Sequence, residues 1–235
     1  MAETIYTIPI NEAYEQTDQC PFCALGDRYE AEALEYILGP AMMESDVRLE
    51  TNRMGFCKTH FQALLDQQSR LPLGLILESH LMAIGDVLAV GGGEKRGLFG
   101  GGRTTDMAER LSDTAHACYI CNRLETLEKR VISNAVSMWK RDKAFLARFE
   151  SRADYCLTHA AALFRAGQDE LGGQYPPFAA ALAPIVQARL GELLQSVRGF
   201  NNSFDYRNAG KPLTEEERFA VERTIAFLTG LACID

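Results

Sequence analysis

Apolar side chains recur every three to four residues along most of the chain, which is the spacing of an amphipathic helix. One such run covers residues 29–38 and stops at Gly39 and Pro40, a pair that ends helices. A second run begins near residue 124 and continues towards residue 149. A short apolar face at residues 61–65 predicts a third helix.

Two longer helices are predicted for residues 73–90 and 178–198, and both read as buried because most of their positions are apolar. The pattern from Thr214 to Glu217 is a capping box and predicts a last helix that runs to about residue 231. Only residues 4–10 alternate in the manner of a strand. The pattern as a whole predicts an all-α protein.

Six of the seven cysteines and two of the four histidines fall into two sets with nearly identical spacing. Each set is a CxxC pair and a CxxH pair separated by 33 or 34 residues. Corresponding cysteines of the two sets lie 98 or 99 positions apart. The candidate ligands are Cys20, Cys23, Cys57 and His60 in the first set and Cys118, Cys121, Cys156 and His159 in the second.

The similarity continues around the trailing pairs, where residues 56–65 and 155–164 share Cys, Thr, His, Ala and Leu at matching positions. A fixed internal period indicates duplicated units. We therefore predict a pseudo-symmetric duplication of a CxxC-helix-CxxH-helix-helix unit, with a C-terminal helix added. The expected organisation is a first metal-binding repeat at 1–90, a Gly-rich linker or mobile loop at 91–103, a second repeat at 104–200 and a C-terminal extension at 201–235, with the two repeats packed as one domain.

Three thiolates and one imidazole form the Cys3His set of a closed structural zinc site. Two ligands separated by two residues can reach the same ion from one helical turn. Since each repeat carries a full set of four ligands, the sequence favours two Zn²⁺ ions, each bound within one repeat. A closed ligand set leaves no position for a catalytic water, so the sequence favours a structural role.

Two other readings of the cysteines stay open. Iron–sulfur clusters also use cysteine, and histidine replaces cysteine in some of them. A thiol redox protein or redox sensor would use the CxxC pairs directly, but the chain lacks the βαβ pattern that houses such motifs and the CxxH pairs would be unexplained.

The composition narrows the classes of function. The 235 residues have a net charge of −8, and residues 1–100 hold 15 acidic against 7 basic residues. Nucleic acid is an improbable partner for an acidic chain. We expect no membrane segment, because charged residues interrupt the apolar stretch at 71–90, and no signal peptide, which indicates the cytoplasm. No catalytic constellation is recognisable, so a non-enzymatic interaction or adaptor module is favoured.

The acidic first part of the chain is where we expect a basic protein partner to bind, although a solvated acidic surface explains the same charge. The face in question carries Glu30, Glu44, Asp46 and Glu50. The remaining basic cluster, at residues 139–152, reads as a solvated helix surface rather than a nucleic-acid site. The sequence predicts neither a specific partner nor an oligomeric state.

Several motifs resemble those of an uncharacterised bacterial family that is common in anaerobic Firmicutes. They are IYTIPINEAYE at 5–15, CPFC at 20–23, ILGPAMMESDVR at 37–48, GFCKTHF at 55–61 and FDYRN at 204–208. The resemblance covers essentially the whole chain and implies no activity. Some members are labelled as ABC transporter substrate-binding proteins, a role that does not fit a chain without α/β lobes.

Overall fold

A computed structural model describes residues 7–16, 19–90, 107–152, 154–208 and 211–230. In these residues the secondary structure is entirely helical, with twelve α-helices and three short 3₁₀ turns. The helices are α1 (Ile8–Glu15), α2 (Pro21–Leu38), α3 (Ser45–Met54), α4 (Lys58–Asp66), α5 (Arg70–Val90), α6 (Met107–His116), α7 (Tyr119–Arg141), α8 (Lys143–Glu150), α9 (Leu157–Glu170), α10 (Tyr175–Ser203), α11 (Glu215–Arg218) and α12 (Ala220–Thr229). The all-α prediction is confirmed.

Three details of the predicted elements are wrong. The strand-like segment at residues 4–10 overlaps α1, which starts at Ile8 beside a proline that suits a first helical turn. The long helix predicted from residue 124 towards 149 is two helices, because Asp142 adopts an extended conformation and caps α8. The last helix is divided at Phe219 into α11 and α12, although the predicted capping box is present.

Contacts between residues divide the chain into two compact units. One consists of Met1–Asp27 with Leu127–Asp235, and the other of Arg28–Thr126. These units differ from the predicted repeats, since each takes residues from both of them. The predicted linker at 91–103 lies outside the described residues.

The unit Arg28–Thr126 has its own apolar core. Residues of α2 pack there against residues of α3, α4 and α5 and against the start of α7. The fully buried members include Ile37, Leu64 and Ile120. A buried Leu or Ile contributes about 1.5–3 kcal/mol to folding, so this cluster holds the ends of the helices in place.

The other unit is built around aromatic rings. Tyr14 of α1 contacts Phe22, Phe145, Phe149 and Tyr155, with ring centroids 4.7–6.4 Å apart. The hydroxyl groups of Tyr14 and Tyr155 lie 2.9 Å apart in a buried hydrogen bond. Because Phe22 lies between Cys20 and Cys23 and Tyr155 directly precedes Cys156, this aromatic core fixes the backbone at candidate ligands.

Helix α5 is less buried than its sequence predicts. Leu73 and Ile76 belong to the core, but Leu71, Leu81 and Met82 expose 75%, 66% and 67% of their surface. Among the described helices it is the one that is long and apolar enough to cross a membrane, over Arg70–Ala89, and 17% of its most apolar window is buried. Length and composition are weak indications of a membrane span, because the helices of soluble proteins can meet both criteria.

Candidate metal centres

The eight candidate ligands come together in two groups, but not in the groups that the sequence favours. Cluster 1 consists of Cys20, Cys23, Cys156 and His159. Cluster 2 consists of Cys57, His60, Cys118 and Cys121. Each cluster joins the CxxC of one repeat with the CxxH of the other, so the predicted pairing within a repeat is wrong.

Helix geometry accounts for the exchange of partners. The 18 residues of α2 span about 27 Å, whereas the 10 residues of α3 span only about 15 Å. In the second repeat the 23 residues of α7 span about 35 Å, against about 12 Å for α8. Helices of such unequal length do not bring a CxxH back to the CxxC that precedes it.

In cluster 1 the imidazole Nδ1 of His159 faces all three sulfur atoms. It lies 3.6 Å from Cys20 Sγ, 3.4 Å from Cys23 Sγ and 3.1 Å from Cys156 Sγ. The Sγ atoms of Cys23 and Cys156 are 3.7 Å apart. These distances bring four ligand atoms from two distant parts of the chain around one point.

Cluster 2 repeats the arrangement. Nδ1 of His60 lies 3.2 Å from Cys57 Sγ, 3.3 Å from Cys118 Sγ and 3.3 Å from Cys121 Sγ. The Sγ atoms of Cys57 and Cys121 are 3.8 Å apart. In both clusters the histidine turns the same ring nitrogen towards the sulfurs.

The dimensions fit one tetrahedral ion in each cluster. Zinc bonds of about 2.3 Å to sulfur and about 2.05 Å to nitrogen give tetrahedral edges of about 3.8 Å between sulfurs and about 3.6 Å between sulfur and nitrogen. All ligand atoms of a cluster lie within 4.8 Å of one another. The sulfur separations are well beyond the 2.05 Å of a disulfide, and the six cysteines are free thiols.

Each CxxH pair lies at the start of a helix, which positions its two side chains. Cys57 and Cys156 are the N-cap residues of α4 and α9, and their backbone angles agree closely, with φ −70° and ψ 168° against φ −72° and ψ 161°. The backbone N–H of His159 donates to Cys156 Sγ at 3.4 Å. A helix N-terminus stabilises a thiolate, which is the form of cysteine that binds metal.

Ionisation in cluster 1 favours charge on sulfur. Burial opposes a charged His159, but hydrogen bonds with Cys156, Cys20 and Glu128 outweigh it and raise the pKa of the imidazole to about 12. Hydrogen bonds with Cys156 and Cys23 hold the pKa of the Cys20 thiol far below its ordinary value. Hydrogen bonds with Cys156 and Cys20, together with burial, raise the pKa of the Cys23 thiol. The ionisation of the four groups is therefore linked, with negative charge favoured on Cys20 and a proton favoured on Cys23.

Cluster 2 is more open to solvent, since Cys121 is exposed and Cys57 is half-buried. Burial raises the pKa of Cys57, but hydrogen bonds from the backbone and side chain of His60 prevail and lower it to about 7. Burial and the neighbouring Cys118 thiol raise the pKa of Cys121 to about 12.

Two glutamates also belong to this geometry, and neither is a predicted ligand. Oε1 of Glu30 lies 3.1 Å from Nε2 of His60, and Oε1 of Glu128 lies 3.3 Å from Nε2 of His159. The ring of His159 lowers the pKa of Glu128. The only signal in the sequence is position: each glutamate follows the second cysteine of a CxxC by seven residues.

Most of the acidic face predicted to bind a partner is engaged within the molecule. Besides Glu30, Glu44 accepts a hydrogen bond from Tyr36 at 2.6 Å, and Glu50 pairs with Arg53 at 2.7 Å. These pairs lie at the surface, and the binding of a basic partner to this face stays a prediction.

The predicted basic cluster is not one surface. Arg152 is buried and donates to the carbonyl oxygens of Gln16 and Gln19, directly before Cys20. Arg148 donates to Asn11 at 2.9 Å. Both guanidinium groups therefore anchor the chain that leads into cluster 1.

Comparison with known proteins identifies a family whose function is unknown. The model of a family described as "Family of unknown function (DUF6062)" matches residues 1–233. No curated protein and no solved structure is significantly similar to the chain.

Proposed function

Because the chain belongs to DUF6062, a family whose function is not known, we propose a function from the geometry of the two clusters. The proposed protein is a helical scaffold that is stabilised by two structural zinc ions. The observation that carries the proposal is the pair of Cys3His groups with the edge lengths of a tetrahedral zinc site. Zinc is favoured over other ions because thiolate-rich tetrahedral sites select it.

A multinuclear iron–sulfur cluster is the less suitable occupant. Its ligands bind different iron atoms, whereas all four ligand atoms here surround one point within 4.8 Å. A redox role of the thiols is supported by the exposure of Cys121 and by the lowered pKa of Cys57. We place the protein in the cytoplasm, where free thiols stay reduced and can hold metal.

The two sites are proposed to derive from a duplicated unit. Three features recur with the internal period of the sequence: a helix that starts one residue after the first cysteine of each CxxC, an N-cap cysteine in each CxxH, and a glutamate beside each histidine. A common ancestral unit is the simplest origin of such paired features.

The biological work of the scaffold is proposed to be contact with a protein partner. A four-ligand protein site has no open coordination position, so chemistry at the ion is disfavoured. Helix α5 supports a surface role, because Leu71, Leu81 and Met82 present apolar area to solvent.

Metal analysis of anaerobically purified protein tests the proposal. We expect a colourless protein with about two zinc ions per chain. Removal of the ions by a strong chelator should reduce the helical circular dichroism signal. The reason is that the free energy of metal binding in such sites, on the order of 10 kcal/mol each, is also free energy of folding. Cys57→Ser should retain one ion and melt at a clearly lower temperature, while Cys233→Ser, outside both sets, serves as the matched control. A brown protein that absorbs near 400 nm, or unchanged melting of Cys57→Ser, would contradict the zinc scaffold.

A further inference from the structure

Each cluster histidine has a second ring nitrogen, and in both cases a carboxylate stands next to it. Nδ1 faces the sulfurs, and Nε2 faces Glu30 in cluster 2 and Glu128 in cluster 1. The His60 side chain is only 7% exposed, and its Nε2 has no aligned hydrogen bond in the described part of the chain, so the Glu30 carboxylate is the polar group that stands beside it.

The two glutamates are placed crosswise. Helix α2 begins directly after Cys20, a ligand of cluster 1, and two turns later presents Glu30 to the histidine of cluster 2. Helix α7 begins after Cys118, a ligand of cluster 2, and presents Glu128 to the histidine of cluster 1. A chance surface ion pair does not predict this reciprocal arrangement on two helices.

We propose that Glu30 and Glu128 are positioning residues of the two metal centres, each accepting the Nε2–H of the cluster histidine so that Nδ1 is free to bind the ion. The inference rests on the proposed function, since it needs a metal at Nδ1. It extends each centre from four ligands to a carboxylate–histidine–metal triad.

The physical reason lies in the two tautomers of imidazole. A neutral ring carries its proton on either nitrogen, and only the Nε2–H form leaves the Nδ1 lone pair free for a metal. A carboxylate at Nε2 selects that form, fixes the ring plane and makes Nδ1 more basic. Loss of such a partner typically costs 10–100-fold in metal affinity.

The test compares Glu30→Ala, Glu30→Gln, Glu128→Ala and Glu128→Gln with Glu35→Gln, an exposed glutamate of α2 that serves as the matched control. Zinc affinity is measured for both ions by chelator competition. The tautomers of His60 and His159 are read from ¹⁵N-edited spectra of the zinc-loaded protein.

We expect Glu30→Ala to lower the zinc affinity of cluster 2 about 10–100-fold and to change the Nε2–H resonance of His60 alone. Glu128→Ala should lower the zinc affinity of cluster 1 by a similar factor and change the resonance of His159 alone. The glutamine variants keep the side-chain shape and a neutral acceptor, so they should lose less and should fold even if the alanine variants do not. Affinities and spectra equal to those of Glu35→Gln would overturn the inference while leaving the zinc sites intact. Wild-type protein that takes up no zinc would instead overturn the proposed function, and the inference with it.

Discussion

At the scale of single residues, Gly55 has the most restricted environment near cluster 2. It adopts φ 60° and ψ −153°, a region that is essentially reserved for glycine. A Cβ atom at this position would lie 2.7 Å from Nε2 of His80. Its carbonyl oxygen accepts the N–H of Tyr119 at 3.0 Å, which ties the approach to Cys57 to the residue after Cys118.

Gly55→Ala should therefore destabilise the protein by about 1–3 kcal/mol, because it adds both backbone strain and a clash with His80. Gly74→Ala is the control, since Gly74 lies inside α5 with open space around its Cα and alanine favours a helix by about 0.5–1 kcal/mol. Thermal unfolding of the zinc-loaded variants measures both effects. Equal melting temperatures for the two variants would contradict the strain at Gly55.

Residue chemistry also sets what the sequence can reveal of the sites. All eight candidate ligands are predictable, because cysteine and histidine are rare and their spacing repeats. The positions of Glu30 and Glu128 beside the histidines are not predictable from the sequence. Glutamate is common on exposed helix faces, and its contact with a histidine depends on which helices pack together. Cys233 has no counterpart in the repeat and lies outside the described residues.

At the scale of elements, the break between α7 and α8 shows how one side chain overrides a periodic pattern. Asp142 accepts the backbone N–H groups of Ala144 and Phe145 at 2.9 and 3.2 Å, and so starts a new helix. The apolar period continues across the break because Phe145 and Phe149 face the aromatic core. Periodicity therefore predicts the helical segments here, but it does not predict the boundary that the capping residue sets between them.

Asp142→Ala should cost about 1 kcal/mol, the usual contribution of an N-cap, whereas Asp142→Asn should cost much less because asparagine caps equally well. The pKa of Asp142 lies below its ordinary value, and the main cause is the hydrogen bond that its carboxylate accepts from the Phe145 N–H. A lowered pKa means that the carboxylate stabilises the fold at all pH values above its ordinary range, and that this contribution is lost only as the pH falls through the lowered value. Melting curves at about pH 6, 7 and 8 should thus show a constant difference between wild type and Asp142→Ala, and a difference that grows between pH 6 and 8 would contradict the assignment.

At the scale of the whole molecule, the exchanged ligands close long loops. Cys23 and Cys156 are 133 residues apart in sequence, and Cys57 and Cys121 are 64 apart. Clips that close long loops remove more entropy from the unfolded chain than local ones, so an ion bound as proposed would stabilise the fold beyond its immediate surroundings. The sequence could not show this, because local and exchanged pairings satisfy the same ligand chemistry and only helix length separates them.

The pairing can be tested by counting ions in double variants. Cys57 and Cys118 belong to one cluster, so Cys57→Ser with Cys118→Ser should retain one zinc ion per chain. Cys20 belongs to the other cluster, so Cys20→Ser with Cys57→Ser should retain none. Native mass spectrometry of the double variants and their parent single variants gives the counts. The reverse result would restore the pairing within each repeat.

The exchange of partners also has a consequence during synthesis on the ribosome. A complete but non-native Cys3His set, Cys20 and Cys23 with Cys57 and His60, emerges first. Cluster 2 becomes complete only with Cys121, and cluster 1 only with His159. If the clusters bind zinc as proposed, an ion captured early by the nascent chain has to change ligands before the native pairing forms, which would make thiolate exchange at zinc a step in the folding of this protein.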